Sequence, residues 1–374
     1  MAQAPILTRR ALNRATLARQ LLLERSPMSV TEVLEHLVGM QAQTPHTAYV
    51  GLWTRLLGFQ PDQLSDLLVD RQVVRIALMR ATIFMVTARD AWALRPLVQV
   101  VHDRMHRGQF GRRLQGVDTA AVVAAGRAFL DVEPRTFKAL GEHLLERWPE
   151  HDRLALEMTV RTGVPLVQVP PRGLWGRSGA VAHTSIEAWL GNAPAAWLTV
   201  DGLVLRYLRA FGPASVMDAQ MWCGLTRLKE VFERLRPGLV VFRDEDGREL
   251  FDLPDAPRPD PDVPAPPRFM YDYENLFLSY ADRTRTLIPE RVRHIVVRPN
   301  EVVSTFLIDG FVAGTWQVER ERRHARLVVR PLVPLAADDE AALLREGAAL
   351  VAFVADDATT RDVAFGPAWP SPAG

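Results

Sequence analysis

Residues Arg75–Thr87 read RIALMRATIFMVT, two runs of apolar and β-branched side chains broken by Met79-Arg80-Ala81. Such runs suit a pleated, half-buried surface and predict a two-strand ribbon. Upstream the pattern is helical. Leu12, Leu17, Leu21 and Leu22 recur near helical spacing over Arg9–Leu23. Ser29 and Glu32 form a capping-box signature before a helix over Val30–Val38, which Gly39 closes. Thr44 and Pro45 read as the N-cap and first residue of a third helix through Leu57, and Gln63–Leu68 adds a short one after Pro61. Helices followed by a ribbon give the winged-helix order.

The order recurs twice. Thr136–Arg147 and Arg153–Thr162 read as helices, followed by a strand over Pro165–Val169, the turn-rich PPRGLWGRSG and Thr184–Leu190. A third copy has helices over Val204–Phe211, Val216–Cys223 and Thr226–Leu235, the last capped by Thr226. Leu239–Phe242 and Glu249–Leu253 then flank Asp246-Gly247, a strong hairpin signal. Seven prolines in the 14 residues Pro254–Pro267 predict an extended linker or strap. Beyond it, strands are expected over Glu301–Ile308, Phe311–Val318 and Arg326–Val333, with turns at Asp309-Gly310 and Arg322–His324. A helix over Ala341–Val354 packs on them, and the final PSPAG is a tail. The fold class is α+β: three tandem winged-helix units (1–115, 116–198 and 199–253), a linker (254–268) and a β-rich region (269–374).

A chain of 374 residues with 48% hydrophobic and 24% charged residues is globular in composition. No apolar run approaches the roughly 18–20 residues of a membrane helix, and the N-terminus lacks a signal peptide's apolar stretch. Cys223 is the single cysteine, which excludes an internal disulfide and a multi-cysteine zinc site. A soluble, cytoplasmic protein is expected. Residues 1–120 hold 15 Arg against 9 acids and 281–331 hold 10 against 6, while 244–274 holds 10 acids against 3 Arg. The net charge of +1 thus conceals a segregation expected of a protein with one cationic face.

No HExxH, P-loop or GxSxG motif is present. His102 and His106 stand four apart without a third ligand in sequence, which favours a solvated helix face over a metal pair. No metal or nucleotide cofactor is expected. The segment GMQAQTPHTAYVGLW (Gly39–Trp53) places Gln41 and Gln43 two apart in a short connection. Extended backbone points both amides to one side. Carboxamides offer donors and acceptors but do not titrate near neutrality, so they orient rather than deprotonate. Taken alone, the same spacing also fits helix caps or exposed surface.

With LTRRALNRATLARQLLL before QAQ and RIALMRATIFMVTARD after it, the sequence resembles the AlkZ-like branch of the bacterial winged-helix DNA glycosylases. Tyr273–Arg285 (YENLFLSYADRTR) resembles that family's C-terminal signature, with Tyr280 where a His is expected. Leu307–Trp316 (LIDGFVAGTW) matches its next block. The resemblance implies a C-shaped cleft holding duplex DNA and removal of alkylated purines, including bulky N7 adducts and interstrand crosslinks made by natural products. It makes Gln41 and Gln43 the catalytic pair. Thr44, His46, Tyr280, Asp282, Arg283 and Arg285 are further candidates. The family also requires a hairpin that enters the DNA. The basic turn of Glu319–Arg326, with Arg320, Arg322, Arg323 and His324, is the first choice for it, and the turn at Arg298-Pro299-Asn300 the second. Arg75 and Arg80 join Arg298, Asn300 and these basic residues as expected DNA contacts.

An N7-alkylated purine is already cationic, so its departure needs no strong acid. The remaining task is to hold a water and stabilise an oxocarbenium-like transition state. Lys138 and Lys229 are the only lysines, and neither adjoins the QAQ segment, so a monofunctional enzyme is expected. A nucleoid-associated monomer is the default for a protein that wraps one lesion. The alternatives are a transcription regulator with Thr44–Leu57 as its recognition helix, and a protein that sequesters the alkylating agent.

Overall fold

The computed structural model describes residues 4–294, 296–298 and 301–367, with 292–298 and 301–302 by backbone only. The chain starts with strand β1 (Ile6–Leu7) and helix α1 (Arg9–Arg19), capped by Thr8. The Ser29–Glu32 capping box opens α2 (Val30–His36) as its residues predict. Gly39, at φ 88°, then turns the chain into β2 (Met40–Gln41). Helices α3 (Thr47–Arg55) and α4 (Pro61–Val69) precede the ribbon of β3 (Val73–Ala77) and β4 (Ile83–Thr87). α5 (Ala88–Leu97) and α6 (Gln99–Phe110) complete this part. One expectation fails locally: Thr44 does not cap α3. His46 occupies the N-cap, because the Thr44 hydroxyl is drawn to Asp272 Oδ2 at 2.5 Å.

The second segment contributes α7 (Thr119–Val132), β5 (Arg135–Thr136), α8 (Phe137–Arg147), α9 (Arg153–Gly163), β6 (Leu166–Gln168), β7 (Ala182–Ser185) and α10 (Ile186–Leu190). The third contributes α11 (Val200–Phe211), α12 (Val216–Cys223), α13 (Leu228–Leu235), β8 (Val240–Asp244) and β9 (Glu249–Asp252). Helix α11 starts at Val200, earlier than its apolar pattern indicates. Arg227 rather than Thr226 is the N-cap of α13, in the left-handed region at φ 61°.

Sheet pairing ties these segments together. β3 pairs antiparallel with β6, Arg75 opposite Gln168, so the two ribbons merge in a six-stranded sheet ordered β2-β4-β3-β6-β7-β5. The join covers two strand edges that would otherwise present unpaired amides. β1 adds parallel to β8, which brings the start of the chain onto the third hairpin. The hydrophobic clusters also cross the segments: one joins the β3–β4 ribbon to α11–α13 and Tyr280.

The C-terminal region holds β10 (Arg268–Met270), α14 (Asn275–Leu278), β11 (Val296–Arg298), β12 (Glu301–Val302), β13 (Thr305–Ile308), β14 (Phe311–Glu321), β15 (His324–Pro331), α15 (Ala337–Val354) and β16 (Thr360–Phe365). The single strand expected over Glu301–Ile308 is divided. β12 pairs with β11 as a separate two-stranded sheet, and β13 enters a five-stranded sheet ordered β10-β13-β14-β15-β16. The PSPAG tail lies outside the described residues.

The proline-rich segment is a strap. Its carbonyls accept from α1: Arg10 Nε to Pro261 at 2.8 Å, Arg14 Nε to Val263 at 2.6 Å and Arg19 Nε to Pro257 at 3.1 Å. Arg19 also forms a fully buried bidentate pair with Asp252 at 2.6 and 2.8 Å. Among the described residues no helix is long and apolar enough to cross a membrane.

Candidate active site at the glutamine pair

β2 is the edge strand of the six-stranded sheet. Gln41 lies opposite Phe84 of β4, and Ala42 N donates to Ile83 O at 2.8 Å. Met40 and Ala42 are fully buried in the core, and Gln43 lies in the bend that follows β2. Gln41 is itself buried; Gln43 is exposed. Asn275, from the YENLF block, fixes the strand from outside. Its Oδ1 accepts from Gln41 N at 3.0 Å and its Nδ2 donates to Gly39 O at 2.7 Å.

The two amides have determined orientations. Arg80 Nη2 donates to Gln41 Oε1 at 2.6 Å, and Arg80 Nη1 donates to the Trp222 carbonyl. Ile83 N donates to Gln43 Oε1 at 3.2 Å. A guanidinium and a backbone N–H only donate, so an oxygen must face each of them. Each amide keeps one oxygen lone pair and its NH2 group for other partners. Arg80 belongs to the turn Met79–Ala81 between β3 and β4, with φ 56° at Arg80 and 57° at Ala81. Two successive left-handed non-glycine residues are strained. Burial lowers the Arg80 pKa to about 10, which leaves it charged near neutrality.

Arg75, expected at DNA, turns inward. It is 1% exposed, and its Nη2 donates to Ala42 O at 2.7 Å from beneath the motif. Its position on a central strand of the merged sheet accounts for this. Burial, then the nearby Arg172 cation, lower its pKa to about 10. Arg80 likewise donates to the motif, at Gln41 Oε1, and to the Trp222 carbonyl. His102 is not on a solvated face: it is buried, and its Nε2 is 3.0 Å from the Leu78 carbonyl, at the start of the Arg80 turn. His106 Nε2 contacts Thr159 Oγ1 at 2.9 Å, away from His102's partner.

The other candidates divide. Thr44 and His46 remain beside the pair, His46 Nε2 meeting Leu174 O at 3.1 Å. Asp272, which the sequence reading missed, holds Thr44, and burial raises its carboxyl pKa. Tyr280, Asp282 and Arg285 are joints elsewhere. Tyr280 Oη donates to Phe211 O at 2.8 Å, and Arg285 lies 4.0 Å over the Tyr280 ring while donating to Pro213 O at 2.9 Å. Asp282 accepts from Arg248 and from Thr284 N. Arg283 is near enough to Arg80 to lower its pKa. Within the Tyr273–Arg285 block, Asn275 is bonded directly to the motif. No spacing signal in the sequence marks Asn275, Asp272 or the orienting role of Arg80.

The basic turn between β14 and β15 is largely neutralised. Arg320 Nη1 donates to Asp357 Oδ1 at 2.7 Å, and His324 contacts Thr360 Oγ1 at 2.9 Å and Asp362 at 3.5 Å. Arg322 and Arg323 are exposed at its tip. Arg298 ends β11, whereas Asn300 lies outside the described residues.

No curated protein matches the sequence significantly. In structure the chain is similar to Streptomyces sahachiroi DNA glycosylase AlkZ, with a TM-score of 0.77 over 96% of this chain and 100% of that one. Sequence identity between them is 18%, so this likeness concerns the fold. The profile described as DNA glycosylase AlkZ-like matches residues 34–353, from α2 to the end of α15. The chain belongs to the AlkZ-like DNA glycosylase family.

Proposed function

We propose that the protein hydrolyses the N-glycosidic bond of N7-alkylated purines in duplex DNA, with Gln41 and Gln43 as its catalytic residues. The substrates in this reading are bulky adducts and interstrand crosslinks left by DNA-alkylating natural products. The enzyme works as a monomer in the cytoplasm, on nucleoid DNA held in a cleft between winged-helix units. One observation carries the reading: two neutral amides, one on the edge strand β2 and one just past its end, each oriented by a donor that cannot reverse.

The chemistry follows from the substrate. Departure of an N7-alkylated base neutralises its positive charge, so the protein need not supply a strong acid. A free lone pair on an amide oxygen accepts a hydrogen bond from the attacking water without removing its proton. As the C1′–N9 bond breaks and the base leaves neutral, the water oxygen bonds C1′ and its extra proton passes to solvent, while fixed dipoles stabilise the developing oxocarbenium ion without reorganising. Gln43, the exposed member, orients the water. Gln41, immobilised by Arg80 and Asn275, contacts the sugar. The product is an abasic site, because neither lysine adjoins the motif. Of the two candidate hairpins, the one whose described strands β11 and β12 form a separate sheet is better suited to enter DNA than the acid-paired β14–β15 turn. A regulator would need α3 free to enter a groove, and its Ala48–Leu52, Thr54 and Arg55 are all buried.

Single-turnover excision of N7-methylguanine from a duplex, read as alkali-dependent strand cleavage, tests this. Gln41→Ala/Gln43→Ala is expected to lose at least ~10³-fold, since removing one oriented transition-state donor elsewhere costs about 10²–10³-fold. Full activity in the double variant, or a borohydride-trapped covalent adduct in wild type, would overturn the mechanism.

A further inference from the structure

Beside the glutamine pair, between α3 and β14, opens a cavity of about 890 Å³. Thr44, the residue after Gln43, lies in its lining, as do Trp175 and Trp316. Consecutive Cα atoms are about 3.8 Å apart, so a lesion whose glycosidic bond reaches Gln43 has its remaining atoms within reach of this space.

Both indoles are half-exposed on rigid supports. Trp175 packs in an aromatic cluster, with ring centroids 5.0 Å from Tyr49, 5.2 Å from Phe353 and 6.1 Å from His46. Its backbone N donates to Ser65 Oγ at 3.2 Å. Trp316 donates from Nε1 to Met270 O at 3.0 Å and stands edge-on to Phe269 at 5.8 Å. Flat apolar surfaces fixed before binding favour flat ligands, because little side-chain freedom is lost on contact.

The charge around this space excludes the usual DNA group. Asp272, Asp356 and Asp357 line it, and Arg320, the one arginine among the described residues of its lining, is bound to Asp357. A carboxylate-rich lining repels phosphate and tolerates neutral or cationic rings. The volume lies toward the upper end of pockets for drug-sized ligands, generally about 300–1,000 Å³, and exceeds what a purine ring alone needs.

We infer that this cavity is a lesion subsite that receives a planar aromatic group, neutral or cationic, attached to or forming part of the alkylated purine. The inference rests on the glycosylase reading and assigns the site a substrate class. The group has two sources: the aromatic portion of the alkylating agent, joined through N7, or the cationic base itself.

Two duplexes separate the sources, one containing N7-methylguanine and the other N7-(pyren-1-ylmethyl)guanine. In wild type, binding of the pyrenyl duplex is expected to change pyrene emission as the ring stacks on the indoles. Trp316→Ala and Trp175→Ala are expected to remove that change and to lower excision of the pyrenyl lesion at least ~10-fold more than that of N7-methylguanine. Equal losses on both lesions would assign the cavity to the base. Unchanged emission on wild-type binding, together with excision of both lesions at wild-type rates by the variants, would overturn the inference. Trp316→Phe and Trp175→Phe, which keep a flat ring, should retain most of the effect and so control for misfolding. Emission measured on Gln41→Ala/Gln43→Ala protein reads the cavity without catalysis. A wrong glycosylase reading leaves the emission change intact, whereas a wrong cavity removes it.

Discussion

Around α1, α3 and the glutamine pair, arginines are interior parts: Arg14, Arg19, Arg55, Arg75 and Arg80 bind carbonyls, carboxylates or an amide. At the β14–β15 turn the same residue type lies on the surface, with Arg320 paired to an aspartate and Arg322 and Arg323 exposed. The excess of arginine over acids in both regions has two different physical origins. A guanidinium can satisfy several buried acceptors at once through its planar fork, and the first region depends on that. In the second, charge remains available to a polyanion. Arginine counts therefore predict a cationic face less well than arginine burial does.

The sharpest way to break this contrast is to remove an interior arginine. Arg55 and Glu274 form a fully buried bidentate pair at 2.7 and 3.3 Å. Arg55→Ala leaves the carboxylate unpaired and is expected to destabilise the fold by about 3–5 kcal/mol, measurable as a shift in the denaturant midpoint. A change below 1 kcal/mol would mean that the pair is solvated. Arg80→Ala comes next. Freeing the Gln41 amide should lower single-turnover excision by about 10–100-fold, with kcat falling more than KM rises. Arg80→Lys should recover part of the loss by donating to the same oxygen, whereas Arg80→Met should not. The smallest effect belongs to the exposed tip. Arg322→Ala and Arg323→Ala should each change stability by less than about 0.5 kcal/mol. If the tip meets DNA, each should reduce the slope of log affinity against log salt by roughly 1. If β11–β12 is the entering hairpin and the turn stays in solvent, the slope will not move.

Much of this was legible in the chain. The Ser29–Glu32 box, the Asp246-Gly247 hairpin and the ribbon around Arg80 are local signals, and each forms where its residues predict. The two-residue spacing of Gln41 and Gln43 likewise marked the pair of amides before any partner was known. These features depend on neighbours within a few residues, which the sequence displays directly.

Tertiary structure decided which way each polar side chain is answered. Thr44 donates its hydroxyl to Asp272, far along the chain, and α3 begins only at Thr47. Arg75 turned inward because β3 became a central strand when β6 paired with it. Arg80 found Gln41 only because a strained turn returns its side chain to the edge strand, and Asn275 arrived there from the C-terminal region. Local sequence carries backbone preference and hydrophobic period, so it determined the helices, the ribbons and the candidate amides. The partners that orient those amides come from long-range contacts between segments of no shared local pattern, and folding alone brought them together.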